Sequence, residues 1–300
     1  MGRPGAKAQR LEGAARHAVA FQPEIIGDGH LPGLDEAAPE DSYCRAASLE
    51  HRRQLAQFFT PPHIASHMAE WVLAIDPKDA LDPACGAGIF ARTLLARKAD
   101  IDITAMDVDT AVLAFARRAL KRLNPDVRLI NGNFLHWRRE AQFDAILLNP
   151  PYLRHRDYSG KDELLSRYRA KAGLALSRLS NIYVFFIIEA CLRLREGGRA
   201  AILVPVEWTN ANFGDPLKSF LLGRGYLKAV TYFDHGQSVF PDALTTACVL
   251  KIENSPAPAR IGMEKWRDGN LTGHPVDPHI LLGANDFFCL TSDRAAQIGI

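Results

Sequence analysis

Two short stretches hold residue types that can do chemistry together. Asn149-Pro150-Pro151-Tyr152 follows an apolar run. Its prolines remove two backbone donors and fix the chain. Two acceptors remain, the Asn149 amide oxygen and the Pro150 carbonyl. Converging acceptors can hold both hydrogens of an exocyclic NH2 group and turn its nitrogen lone pair toward an electrophile. Tyr152 adds a face on which a planar ring can stack. A proline-rich loop that closes a strand is the plainer reading of the same residues. The second stretch is Asp82-Pro83-Ala84-Cys85-Gly86-Ala87-Gly88. Gly86 and Gly88 let backbone approach a ligand where a side chain would collide. A dinucleotide fingerprint reads GxGxxG. Here a carboxylate leads and the glycines are fewer, which suits a cationic ligand better than a diphosphate. Asp107 ends the next strand, where an acid can accept both hydroxyls of a ribose.

Other signals are weaker. Arg154, Arg156, Lys161, Arg167, Arg169, Lys171 and Arg178 follow Tyr152 against only Asp157, Asp162 and Glu163, with Tyr158 and Tyr168 interleaved. Such a segment can hold phosphates beside the site, with a solvated helix face as the competing reading. Arg154, Arg156 and Lys161 are the candidates for DNA contact. His63 and His67 are four apart but lack a third ligand, so they read as structural and no metal is expected. Cys85 has no His partner in sequence and reads as packing. Arg117, Arg118, Lys121 and Arg122 read as the solvated face of a helix.

The elements that must position these residues alternate. Helices are expected at Pro62 to Ile75, Ile89 to Lys98, Asp109 to Leu123, Asn181 to Leu194 and Pro216 to Leu222, with Gly197-Gly198 stopping the fourth. Strands are expected at Ala80 to Leu81, Ile101 to Met106, Val127 to Ile130, Phe143 to Leu148, Ala200 to Pro205, Leu227 to Phe233 and Thr245 to Ile252. Alternation of this kind implies an α/β fold with a parallel sheet covered on both faces. Only a loop separates the last two strands, which suits an antiparallel pair. The balance of 36 Lys and Arg against 34 Asp and Glu excludes a polycation but not a local basic patch. Cys44, Cys85, Cys191, Cys248 and Cys289 form no CxxC pair. They read as reduced thiols of a cytoplasmic protein, and no apolar run is long enough for a membrane helix.

The chain resembles the S-adenosylmethionine-dependent amino-methyltransferases, and within them the gamma-type DNA adenine-N6 methyltransferases of restriction–modification systems. The resemblance runs from about Arg53 to Glu253. Gln57-Phe58-Phe59-Thr60-Pro61 is similar to the family's N-terminal cofactor motif, whose Thr contacts the methionine carboxylate. Asp82 to Gly88 matches the loop that cradles the methionine moiety, and Asp107 the ribose-binding acid. Asn149 to Tyr152 matches the catalytic motif. Ser238-Val239-Phe240-Pro241 resembles a late motif whose Phe packs on the flipped base. Asn133-Phe134-Leu135 departs from the family, which has Asp where Asn133 stands; an Asn oxygen accepts from the cofactor's adenine amine more weakly.

The resemblance therefore implies a class I methyltransferase fold: a mostly parallel, seven-stranded Rossmann-like sheet with an antiparallel last strand. It implies S-adenosyl-L-methionine held by Thr60, Asp82, Ala84, Gly86, Gly88, Asp107, Val108, Asn133, Phe134 and Asn149. The catalytic set is Asn149, Pro150, Tyr152 and Phe240. Double-stranded DNA is the implied partner, together with a separate or fused specificity or nuclease component. Residues 1–48 are expected to be a flexible tail and 49–254 the catalytic domain. Residues 255–300 are expected to be an irregular extension that begins a target-recognition domain. The rival activities are RNA or protein glutamine methylation and cytosine-N4 methylation. A cofactor-binding subunit without activity of its own is the non-enzymatic alternative.

Overall fold

The computed structural model describes residues 35, 38–153, 160–209, 214–233, 247–267 and 269–278. Strands β1 (Asp79–Asp82), β2 (Asp102–Asp107), β3 (Arg128–Asn131), β4 (Phe143–Leu148) and β5 (Leu194–Pro205) pair in parallel in the order β3-β2-β1-β4-β5. Strand β7 (Ala247–Glu253) runs antiparallel between β5 and β6 (Leu227–Phe233). The order reverses between β1 and β4, so the crevice beyond their carboxyl ends is where a doubly wound sheet holds ligands.

The apolar run of β4 is buried on both sides. Ile146 and Leu148 face one core layer and Ala145 and Leu147 the other, as the two-residue period of a strand requires. The first layer is built on α7 (Ile182–Leu192), whose sequence is apolar all round and buried accordingly. Its one acid, Glu189, accepts from the Arg193 Nε and the Tyr168 hydroxyl. The other layer packs α3 (Pro62–Leu73) and α4 (Ile89–Leu95). Helix α5 (Thr110–Lys121) is capped by the Asp109 side chain, which accepts from the Ala111 N–H. Arg117 and Lys121 on it, and Arg122 at its end, are exposed.

Four expectations change. Residues counted as tail form α1 (Pro39–Ala46), whose Tyr43 is fully buried, and residues Leu49–Gln54 form α2, capped by Ser48. Both helices are too short to show an apolar period. Gly197-Gly198 does not stop α7, which ends at Leu192; the pair lies inside β5. A Cβ on Gly198 would stand 3.0 Å from the carbonyl oxygens of Phe143 and Asp144, so the close approach of β4 explains the glycine. The expected irregular extension contains β8 (Ile261–Arg267), parallel to β6, and β9 (Asn270–Val276), antiparallel to β8. The sheet therefore has nine described strands, the seven expected plus this hairpin. Finally, α6 (Lys161–Ala172) occupies part of the basic segment and ends at Gly173, with φ +71. No described helix is long and apolar enough to cross a membrane.

Candidate active site

The chain leaves β1 at Asp82 and enters α4 through Gly86 (φ +52) and Gly88 (φ +91), conformations that disfavour any side chain. A Cβ on Gly86 would come within 3.0 Å of the Phe59 ring. Asp82 is buried, and its carboxylate oxygens have no well-formed hydrogen bond among the described residues, the Ala84 N–H nearby offsetting only part of the cost of burial. Burial first, then the charge of Asp107, raises its carboxyl well above the usual range. An under-paired buried carboxyl beside a glycine cradle fits a ligand that brings its own positive charge.

Asp107 ends β2. Its Oδ2 accepts from the Gly86 N–H at 2.9 Å and its Oδ1 from the Asp109 N–H at 3.0 Å. A carboxylate has about four lone-pair positions, so acceptor capacity remains for hydroxyls. Burial pushes its carboxyl up to about 6, against the donors of Asp109, Gly86 and Val108. The next residue, Val108, is 53% exposed and lines the same pocket, an apolar face for a flat ring. Opposite stand Asn133 and the buried Phe134. The Asn133 Oδ1 accepts from the Leu135 N–H at 3.0 Å, which orients it and leaves one lone pair.

Residues 55–60 form the N-terminal wall of the pocket. It turns at Ala56, held at φ +49, and carries Phe58, Phe59 and the buried Thr60. The Asn149 Nδ2 donates to the Phe58 carbonyl at 2.8 Å and to the Thr60 Oγ1 at 3.1 Å. The Phe58 carbonyl can only accept, which fixes the amide nitrogen toward the wall and the Oδ1 away from it. That Oδ1 accepts from the Tyr152 hydroxyl at 2.8 Å, and the same hydroxyl lies 3.1 Å from the Leu203 carbonyl. The Tyr152 ring stacks on Phe58, with centroids 6.0 Å apart, and meets Tyr183 edge-on.

Thr60, Ala84, Gly86, Asp107, Val108, Asn133, Phe134, Asn149 and Pro150 thus line one pocket. Asp82 and Gly88 flank it in the β1–α4 turn, and Tyr152 stands behind Asn149. Lys161, expected beside a phosphate, is buried here, and its ammonium donates to the Arg178 carbonyl at 2.8 Å. Arg154, Arg156 and Phe240 lie outside the described residues. His67 is buried and faces the Thr231 hydroxyl, while His63 stacks on Trp266. Cys85 is buried, and burial followed by the nearby Asp82 and Asp107 raises its thiol well above the usual value, so it stays protonated. Tyr43, His51 and Asp109 meet behind the wall. Of these only Asp109 left a trace in the sequence, as the acid at the start of an expected helix.

The fold and this pocket are those of the class I methyltransferases, a class whose cofactor is S-adenosylmethionine. Residues 92–240 match the family described as Eco57I restriction-modification methylase. The chain carries a domain of that family. It is 33% identical over 216 residues to the type II methyltransferase M.AccI of Acinetobacter calcoaceticus, covering 72% of this chain and 40% of that one. It is 24% identical over 197 residues to M.HincII of Haemophilus influenzae, covering 66% and 37%. The chain therefore spans about two fifths of the length of these curated relatives. Among solved structures it resembles the type IIG restriction endonuclease BpuSI, with TM-score 0.65, 14% identity, and 88% of this chain and 36% of that one covered. It also resembles a putative class I S-adenosylmethionine-dependent methyltransferase from Listeria monocytogenes, with TM-score 0.61, 17% identity, and 84% and 77% covered. At these identities the structural matches speak to the fold.

Proposed function

We propose that this chain methylates the N6 amine of an adenine flipped out of double-stranded DNA, as the modification activity of a restriction–modification system. The observation that carries the reading is the orientation of Asn149. Two hydrogen bonds fix its amide nitrogen on the pocket wall, so its oxygen faces the other way, where an incoming amine can donate to it. The Tyr152 hydroxyl now holds that oxygen and has a second acceptor, Leu203, within reach. It can release Asn149 without losing its own partner. The Pro150 carbonyl, beside Asn149 in the pocket lining, supplies the second acceptor.

In this reading Thr60, Asp82, Ala84, Gly86, Gly88, Asp107, Val108, Asn133 and Phe134 hold S-adenosylmethionine, which supplies an activated methyl group. Asn149 and Pro150 take one amine hydrogen each and aim the nitrogen lone pair. Positioning supplies most of the acceleration. Extruding the base costs a few kcal/mol, and stacking on Tyr152 and Phe240 returns roughly 1–3 kcal/mol per face. Arg154 and Arg156 are assigned to phosphates. We place α1 within the catalytic unit, because Tyr43 is buried against it. A separate or fused specificity or nuclease component is the expected partner. The test is incubation with methyl-labelled cofactor and separate random-sequence DNA, RNA and protein pools, followed by mass spectrometry of the nucleosides and amino acids. N6-methyladenine supports the reading; label in cytosine, RNA or protein glutamine, with none in adenine, overturns it.

A further inference from the structure

Behind the pocket wall, one carboxylate gathers donors from three separate segments. The Asp109 Oδ2 accepts from the Tyr43 hydroxyl of α1 at 2.6 Å, from the His51 Nε2 of α2 at 3.1 Å and from the Gln57 Nε2 of the wall at 2.9 Å. Its Oδ1 caps α5 through the Ala111 N–H at 2.9 Å. Its backbone N–H points the opposite way, to the Asp107 Oδ1 at 3.0 Å. Burial alone would raise the Asp109 carboxyl, but the bonds from Tyr43, Gln57, His51 and Ala111 outweigh it and hold it below the usual range. Tyr43 also props the wall by contact. Its ring meets Phe59 edge-on with centroids 5.7 Å apart, and Phe59 in turn lies over Gly86.

We infer that Asp109 is a positioning residue for S-adenosylmethionine: its backbone orients the pocket acid Asp107, and its carboxylate fixes the wall that carries Thr60. This rests on the reading of the pocket as the cofactor site. An N-cap needs only one of the two carboxylate oxygens. The second oxygen, buried and given three donors, has no part in the helix and serves the wall. The strained φ of Ala56, directly before Gln57, places the turn into the wall at the point the carboxylate holds.

Serine caps helices as well as aspartate does, but its hydroxyl is too short to reach Tyr43, His51 and Gln57. Asp109→Ser therefore keeps the start of α5 and releases the wall. Calorimetric titration of the full chain with S-adenosylmethionine is the measurement, run well below the unfolding temperature. Asp109→Ser is expected to raise the cofactor Kd about tenfold, the size of one net charge-assisted hydrogen bond. Asp109→Asn keeps the cap but turns an NH2 group toward the donors of Tyr43, His51 and Gln57, and is expected to raise Kd at least as much as Asp109→Ser. Tyr43→Phe keeps the ring and removes the hydroxyl, with a rise of about threefold. Glu40→Gln breaks the Glu40–Arg92 ion pair that ties α1 to α4 away from this cluster. It is expected to lower the thermal midpoint and leave Kd unchanged. A Kd within twofold of wild type in folded Asp109→Ser overturns the proposal. If that variant fails to fold, an unchanged Kd in Tyr43→Phe overturns it instead. An equal rise in Glu40→Gln also overturns it, since general loosening would then explain the effect. A wild-type chain that binds no cofactor removes the pocket reading and this proposal together, a result distinct from the other three.

Discussion

Asn149→Ala is expected to act twice, and the second effect is the informative one. Loss of the oxygen removes the acceptor proposed for the target amine, so turnover should disappear. Loss of the nitrogen removes the bonds to the Phe58 carbonyl at 2.8 Å and the Thr60 Oγ1 at 3.1 Å. Each is worth about 0.5–1.5 kcal/mol net. The wall is then loosened by roughly 1–3 kcal/mol, the sum of the two. If all of that appeared in cofactor binding, Kd would rise by about fivefold to 150-fold. Water reaching the freed carbonyl will return part of it, so the lower half of that range is expected. Calorimetric titration with S-adenosylmethionine measures the binding effect, and single-turnover methylation of a DNA pool measures the other. Turnover lost with a wild-type Kd would falsify the argument that the amide nitrogen holds the wall, leaving Asn149 a substrate residue alone.

The remaining expectations follow from the same geometry. Asp107 has a folded pKa of about 6 against a reference of 3.8, so its favourable contribution to folding is full below 3.8 and lost as pH rises through about 6. The cofactor-free protein should lose unfolding free energy across that window, while cofactor affinity, which needs the ionised acceptor, should weaken as pH falls below about 6; an affinity flat from pH 5 to pH 8 would remove Asp107 from the ribose. Gly88→Ala sets a Cβ at φ +91, 3.3 Å from the Leu120 Cδ1, and should cost roughly 1–2 kcal/mol, read as a lower urea midpoint at constant slope. Phe240→Ala should weaken binding to DNA carrying a destabilised adenine pair by roughly 1–3 kcal/mol, with cofactor binding unchanged; equal DNA affinity in the two proteins would exclude the stacking role.

The parts of the fold legible in the sequence were those whose pattern follows from local physics. The run Phe143–Leu148 is apolar but for Asp144, which pairs with Arg195, because both faces of β4 are covered, and its limits match the expectation residue for residue. The limits of β6, Leu227–Phe233, match as well, with Lys228 and Thr231 inside a mostly apolar run. Where the sequence misled, a tertiary contact had overridden the local signal. Gly197-Gly198 looks like a helix stop, yet the glycine is there because two carbonyl oxygens of the neighbouring strand lie 3.0 Å from its missing Cβ. Strand β9 is almost entirely exposed and contains Gly273 and Pro275, so it has neither alternation nor β-branched density. Its only reason to be extended is the hydrogen-bonding edge of β8, which is invisible in a one-dimensional pattern.

The site divides along the same line, between what a residue is and what it meets. Gly86, Gly88 and Asp107 announce the roles proposed for them because backbone geometry and charge are properties of the residue itself. Asn149 does so by half: its type predicts an acceptor for an amine, while its grip on Phe58 and Thr60 depends on a segment about 90 positions away. Tyr152 is a further step removed. Its type predicts a face for a planar ring, while the stacking of that ring on Phe58 and the bond from its hydroxyl to Asn149 depend on segments brought in by the fold. Asp109 lies at the far end of this scale. From sequence it is one more acid at the start of a helix, and half of its carboxylate does serve that purpose. The other half is used by Tyr43, His51 and Gln57, which no spacing rule connects to it. Residues that bind by their own chemistry are thus recoverable from the chain alone. Residues that bind by holding others in place become visible only once the fold has brought their partners together.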